Sequence, residues 1–232
     1  MISTALYQEL VPDAPSFKRT ESDPPKTIEW SNRLEAGASL KLSPTALQHP
    51  ELISTYKGTI KKLLFAFPKY ALDDETSVEA YKSVINALRI GTEFVIVHHP
   101  DGKAIIESWF SSAGHDIANV TFVELPAYVM FTDWAEDAYV SLRDSGTDVH
   151  YLMEPWEFKR AGDALIADAV EENTDIVASQ APLIFQGGNC LFTDQHWLLG
   201  KDYVADSIDM LKRPRYPVSI PQGDDVSVFV KR

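Results

Sequence analysis

The chain has one cysteine, Cys190, among 232 residues. An internal disulfide is thereby excluded, as is any zinc–thiolate cluster, and a lone free thiol suits a reducing compartment. Cationic charge is also scarce: 21 Lys and Arg stand against 34 Asp and Glu, for a formal net charge of −13. That balance argues against nucleic acid and anionic membrane surfaces as partners. It suits a cationic ligand, although acidity for solubility alone is the commoner cause. No segment approaches ~18 consecutive apolar residues, so no membrane span is expected. Met1-Ile2-Ser3-Thr4-Ala5-Leu6-Tyr7 lacks a basic region and a long apolar core, and so does not read as a signal peptide. There is no glycine motif of the kind that cradles phosphate, so no nucleotide cofactor is implied. The expectation is a cytoplasmic protein without cofactor or metal, with homo-oligomer formation left open.

What is present looks globular. Hydrophobic residues make up 45% and charged residues 24% of the chain, ordinary values for a domain with a sizeable core. The length suits one large domain or two small ones. Residues 1–50 differ from the rest: Pro12, Pro15, Pro24, Pro25, Pro44 and Pro50 punctuate a polar stretch, which predicts an irregular N-terminal arm. Regular elements are expected over 51–232. Leu63 to Phe67 is a short apolar run ended by Pro68, a buried strand. Thr76-Ser77-Val78-Glu79 resembles a capping box, with Val78, Tyr81, Val84, Ile85 and Leu88 on one helical face. Further strands are predicted over Phe94–Val97 and Val120–Leu125, with a helix from about Lys103 to Ala113 between them. A hairpin follows, turning at Asp144-Ser145-Gly146. A helix from about Ala161 to Glu172, a strand at Ile176–Ala178, a hairpin turning at Thr193-Asp194-Gln195, a helix from about Ala205 to Leu211 and a strand over Val226–Val230 complete the pattern. Hairpins alternating with single helices suggest an α/β fold of repeated β-β-α-β modules rather than a simple parallel sheet.

Two segments carry candidate chemistry. In Phe185-Gln186-Gly187-Gly188-Asn189-Cys190, adjacent glycines sit between apolar runs with an amide on each side. Glycine inside a strand pattern marks a bulge, or a close approach of backbone to a ligand or a second backbone. In Asp133-Trp134-Ala135-Glu136-Asp137, three carboxylates occupy five residues beside a tryptophan. On a strand, Asp133 and Asp137 would share one face and Glu136 would take the other. Burying such a group is costly unless it binds a cation or accepts several hydrogen bonds. A carboxylate clamp for a guanidinium or ammonium, walled by Trp134, is one reading. The plainer alternative is a solvated loop with Trp134 in the core.

Together the two segments resemble a family. Trp134-Ala135-Glu136-Asp137, followed about fifty residues later by Gln186-Gly187-Gly188-Asn189 between strands, resembles the guanidino-group-modifying superfamily. These are the penteins, or five-bladed β/α-propellers, among them arginine deiminases, agmatine deiminases and amidinotransferases. The run Trp197 to Tyr203 is similar to that family's strand after the Gly-Gly turn. The resemblance implies a pentein-type propeller, incomplete in this chain, that acts on a cationic guanidino substrate by hydrolysis or amidino transfer. It implies that Asp137 anchors the guanidinium, that Gln186 and Asn189 line the pocket, and that Trp134 and Glu136 flank it.

The sequence departs from the family at telling places. Glu136 stands where an arginine is usual, and Gln186 where an acid is usual. No Gly-His-x-Asp element or later cysteine supplies the family's base and nucleophile. Either those elements belong to a continuation of the chain, or this is a relative that only binds small molecules. Cys190 reads as a small core residue, though a hairpin could bring His196 across from it. His98 and His99 are expected to be exposed at a turn, His115 to be a polar loop residue, and Asp168, Glu171 and Glu172 to form a solvated face.

Overall fold

The computed structural model describes residues 49–53, 58–155, 158, 160, 162–181, 183–192 and 197–211. Most of the N-terminal arm, the turn at 193–195 and the strand expected over 226–230 lie outside them. In chain order the elements are β1 (Pro50–Leu52), β2 (Lys62–Phe67), α1 (Lys69–Leu72), α2 (Glu75–Ala87), β3 (Glu93–His98), α3 (Lys103–Ser112) and β4 (Val120–Glu124). There follow β5 (Val140–Asp144), β6 (His150–Glu154), α4 (Ile166–Asn173), β7 (Val177–Gln180), β8 (Cys190–Phe192), β9 (Trp197–Leu199) and α5 (Lys201–Leu211). The protein is an α/β structure. Its described residues fall into two compact units: one drawn from Gly58–Ala135 and Lys159–Asp175, the other from Leu40–Lys57, Glu136–Phe158 and Ile176–Arg232.

The first unit is built on a three-stranded parallel sheet in the order β2-β3-β4, with Leu63 opposite Phe94 and Phe94 opposite Val120. Its strands are joined only by helices, so this half is a simple parallel sheet and not the predicted hairpin module. The apolar pattern explains why: β3 reads Phe-Val-Ile-Val without polar alternation, as a strand covered on both faces must. Phe94 and Ile96 pack with Phe67, Ile85, Ile106 and Phe110 in one core. Val95 and Val97, out of phase by one residue, are buried as well, and α4 packs against β3 and β4.

Two local expectations change. The cap of α2 is Asp74, whose carboxylate accepts from the Ser77 N–H at 2.7 Å, so Thr76 falls inside the first turn. Hydrogen bonding from Ser77 holds the Asp74 carboxyl below its usual value. Val78, Tyr81 and Leu88 join Ile85 on the core face, while Val84 turns to solvent.

The second unit holds a four-stranded sheet, β1-β5-β6-β7, with β5 antiparallel to β6 and β6 parallel to β7. In the chain α4 comes between β6 and β7, but it belongs to the first unit, so the expected β-β-α-β module is not assembled within this one. Asp144 keys its hairpin: one carboxylate oxygen accepts from Gly146 and Thr147 N–H, the other from His49 N–H. The pair β8/β9 is antiparallel, with Cys190 opposite Leu199. Among the described residues all three sheets are open, and no helix is long and apolar enough to cross a membrane.

Candidate functional site

The segment carrying Asp137 is a 3-10 turn, Ala135–Ala138, and not a strand. Ala-Glu-Asp-Ala has little β propensity, which explains the difference. The turn leaves Glu136 exposed and puts Asp137 inside at 6% exposure. Gly187–Asn189 is likewise a 3-10 turn, closed by Asn189 N–H donating to Gln186 C=O at 3.0 Å and by Cys190 N–H donating to Gly187 C=O.

The two glycines bring these turns together. A methyl on Gly187 would overlap the Glu136 carbonyl oxygen and fall 2.5 Å from that of Tyr139. A methyl on Gly188 would overlap Asp137 Oδ1. The close approach that the sequence pattern predicted is therefore to a second backbone, with the Asp137 carboxylate seated directly against Gly188. Both turns belong to the second unit. A carboxylate so buried needs hydrogen bonds or a cation to offset its lost hydration.

A short polar chain runs beside the glycines. The Asn189 side-chain amide donates to the Tyr203 hydroxyl at 2.8 Å, and that hydroxyl donates to Gln186 Oε1 at 3.0 Å. Tyr203 comes from the first turn of α5. One turn later, buried Ser207 accepts from Ile184 N–H at 3.0 Å and donates to Ile184 C=O at 3.1 Å. Residues four apart share a helix face, so α5 grips the strand-like segment entering the glycine turn at two points. Sequence reading found Gln186 and Asn189 but missed Tyr203 and Ser207. Their spacing of four, together with α5's amphipathic pattern, was the available signal.

Asp133 and Trp134 belong to the first unit. Asp133 accepts from the Tyr70 hydroxyl at 2.7 Å and from the Tyr81 hydroxyl at 3.2 Å. Burial pushes both tyrosines above their ordinary values, and the Asp133 charge adds to the effect. Trp134 is 65% exposed. Close by, Asp163 is fully buried, a group sequence reading missed. It accepts from Thr132 N–H at 2.6 Å, from the Thr132 hydroxyl at 2.8 Å and from Arg160 Nε. Burial raises its carboxyl above the usual value despite those donors.

The remaining candidates are structural. Cys190 is buried, and burial pushes its thiol up to about 11, so it is not a ready thiolate. His196 lies outside the described residues. His98 and His99, expected to be exposed, are buried, and burial lowers both. His99 accepts from Lys69 N–H through Nδ1 and donates to Val129 C=O through Nε2, both at 2.9 Å, so it ties the start of α1 and the segment at Val129 to the end of β3. His115 is also buried, donating to Ile85 C=O against the edges of Phe94 and Phe110. Asp168, expected on a solvated face, is buried, while Glu172 is exposed. At His99 and His115 the covering groups come from segments distant in sequence, Val129 and Ile85 among them. Among the described residues no group of three or more His, Cys, Asp or Glu is placed to hold a metal ion.

No protein-family profile and no curated protein matches the chain. Two solved structures are similar in part. The C. jejuni agmatine deiminase is 14% identical, matching 63% of this chain and 44% of its own length, with a TM-score of 0.44. A structure described as a putative agmatine deiminase is 16% identical, matching 61% of this chain and 42% of its own, also with a TM-score of 0.44. The chain thus spans less than half the length of either. A likeness of this size does not fix function.

Proposed function

We propose that the second unit carries a recognition site for a planar N–C–N group, with guanidino compounds as the ligand class. Asp137 is its anionic anchor, and Gln186 and Asn189 are its polar lining. On this reading the chain is a deiminase- or amidinotransferase-like relative of the pentein β/α-propellers. The observation that carries the proposal is the seating of the Asp137 carboxylate against Gly188. It joins two segments that the sequence singled out separately, and a carboxylate next to bare backbone suits a flat cationic group.

Turnover is a separate matter. Hydrolysis or amidino transfer at a guanidinium carbon needs an activated nucleophile. The one cysteine is buried with its thiol raised to about 11, so it is not the group that attacks. That observation favours a second reading, a non-catalytic binding protein that uses the same site.

Incubation of the full chain with arginine, agmatine and simple alkylguanidines, monitored for binding heat and released ammonia, separates these readings. Binding with ammonia release supports the deiminase-like reading. Binding without release supports the binding protein, and no binding to any guanidino compound removes both.

A further inference from the structure

His98 ends β3, the central strand of the first unit's sheet, and His99 follows it; the two are buried at 1% and 4% exposure. Their partners fix opposite tautomers. His98 Nδ1 lies 2.8 Å from the His99 carbonyl oxygen, which only accepts, so Nδ1 carries the proton and Nε2 is bare. That bare nitrogen is enclosed, with no hydrogen-bond partner among the described residues, and the ring meets Phe122 at its edge. His99 is the reverse. Its Nδ1 takes the Lys69 N–H, which only donates, so Nδ1 is bare and the Nε2 proton goes to Val129 C=O. The His99 ring also packs 4.5 Å from that of Phe131.

A second proton is therefore poorly placed on either ring. On His98 it would sit on the enclosed Nε2. On His99 it would sit on Nδ1, where it confronts the Lys69 N–H and the bond is lost. The charges facing the pair, Lys103 and Glu124 at His98 and Lys69 and Asp101 at His99, all stand at the surface. Lys69 and Asp101 pair with each other there at 3.3 Å. We propose that the two histidines form an acid-operated latch, in which protonation of His99 releases the start of α1 and the segment 129–131 from the end of β3. The released parts are joined to each other, since Tyr70 of α1 donates to Asp133, so the release reaches the acidic segment. Burial holds both rings below the ordinary histidine value. The opened segment thus binds protons more readily than the closed one. The latch is at full strength above a pH of about 6.5 and weakens as pH falls below it.

The test is hydrogen exchange of the Lys69 amide, followed by NMR in the full chain and expressed as a protection factor at about pH 7.5 and about pH 5. The reference is the Ala113 amide at the end of α3, which donates to Trp109 C=O at 3.0 Å. Lys69 protection is expected to fall roughly tenfold relative to Ala113 across that interval. His99→Asn puts a carbonyl oxygen in the place of Nδ1 and does not titrate, so Lys69 protection relative to Ala113 should there be independent of pH. Unchanged relative protection in the wild type would overturn the latch, as would a fall that folded His99→Asn retains. If that variant does not fold, the imidazole nitrogen shifts of the wild type decide. The latch requires neutral His98 with its proton on Nδ1 and neutral His99 with its proton on Nε2 at about pH 7.5, and any other pair of states overturns it.

Discussion

Asp133 and Asp137 stand four residues apart in one acidic segment, yet their surroundings have little in common. Asp133, in the first unit, is half-buried and takes hydroxyl protons from Tyr70 and Tyr81. Neighbouring Asp163 is satisfied by Thr132 and Arg160. Asp137, in the second unit, is more deeply buried and is set against Gly188, where any side chain would overlap its carboxylate. Acids close in sequence can thus serve unlike purposes. The first unit uses its acids to tie loops to helices; the second packs one against a glycine.

The largest effect expected comes from filling the glycine contacts. Gly187→Ala would drive a methyl into the Glu136 carbonyl, and Gly162→Ala would drive one into the Met130 carbonyl in the other unit. Neither obstacle is a flexible side-chain end, so each substitution should cost about 3 kcal/mol or more in urea unfolding. A loss below about 1 kcal/mol for Gly187→Ala would show that the two turns are not packed as described.

Next in size is Asp163→Ala, which strands the Thr132 and Arg160 donors and should cost about 2–4 kcal/mol. Asp163 also has a pH signature. Its folded carboxyl is raised, so the native state binds the proton more tightly than the unfolded chain. Its contribution to stability is therefore full below the ordinary carboxylate value of about 3.9 and is lost as pH rises through the raised value. Urea midpoints across that window should show Asp163→Asn without this fall. An unchanged slope would contradict the raised carboxyl.

Tyr70→Phe and Tyr81→Phe each remove one of two hydroxyl donors to Asp133. Each should cost about 1 kcal/mol, and the half-exposed Tyr70 less than Tyr81. The smallest effect is chemical rather than thermodynamic. Cys190, buried with its thiol near 11, should react with an aromatic disulfide reagent at mildly alkaline pH roughly a hundredfold more slowly when folded than in urea. Equal rates would mean an exposed thiol and would reopen the nucleophile reading.

Much of the fold was legible in the chain because period and punctuation agree there. Leu63 to Phe67, Phe94 to Val97 and the Asp144-Ser145-Gly146 turn are local signals, and each produced the expected element. What was not legible was pairing. The unbroken apolar run of β3 marks a strand covered on both faces, but which strands it pairs with depends on the helices between them. The histidines were misjudged for a related reason: His98, His99 and His115 look like turn residues, but their rings are covered by segments distant in sequence, Val129 and Ile85 among them. At the candidate site, the glycine pair announced a close approach, and the structure identifies its counterpart as Glu136 to Tyr139. The roles of Tyr203 and Ser207 depend on how α5 docks, which no local pattern reveals.

The central claim is that Asp137, seated on Gly188, recognises a planar nitrogen-bearing group. Calorimetric titration of wild type and Asp137→Asn with n-propylguanidine and n-propylurea tests it most directly. The account predicts that wild type binds at least one of the two and that Asp137→Asn, still folded, binds it about tenfold or more weakly. Equal affinity in the two proteins would contradict it.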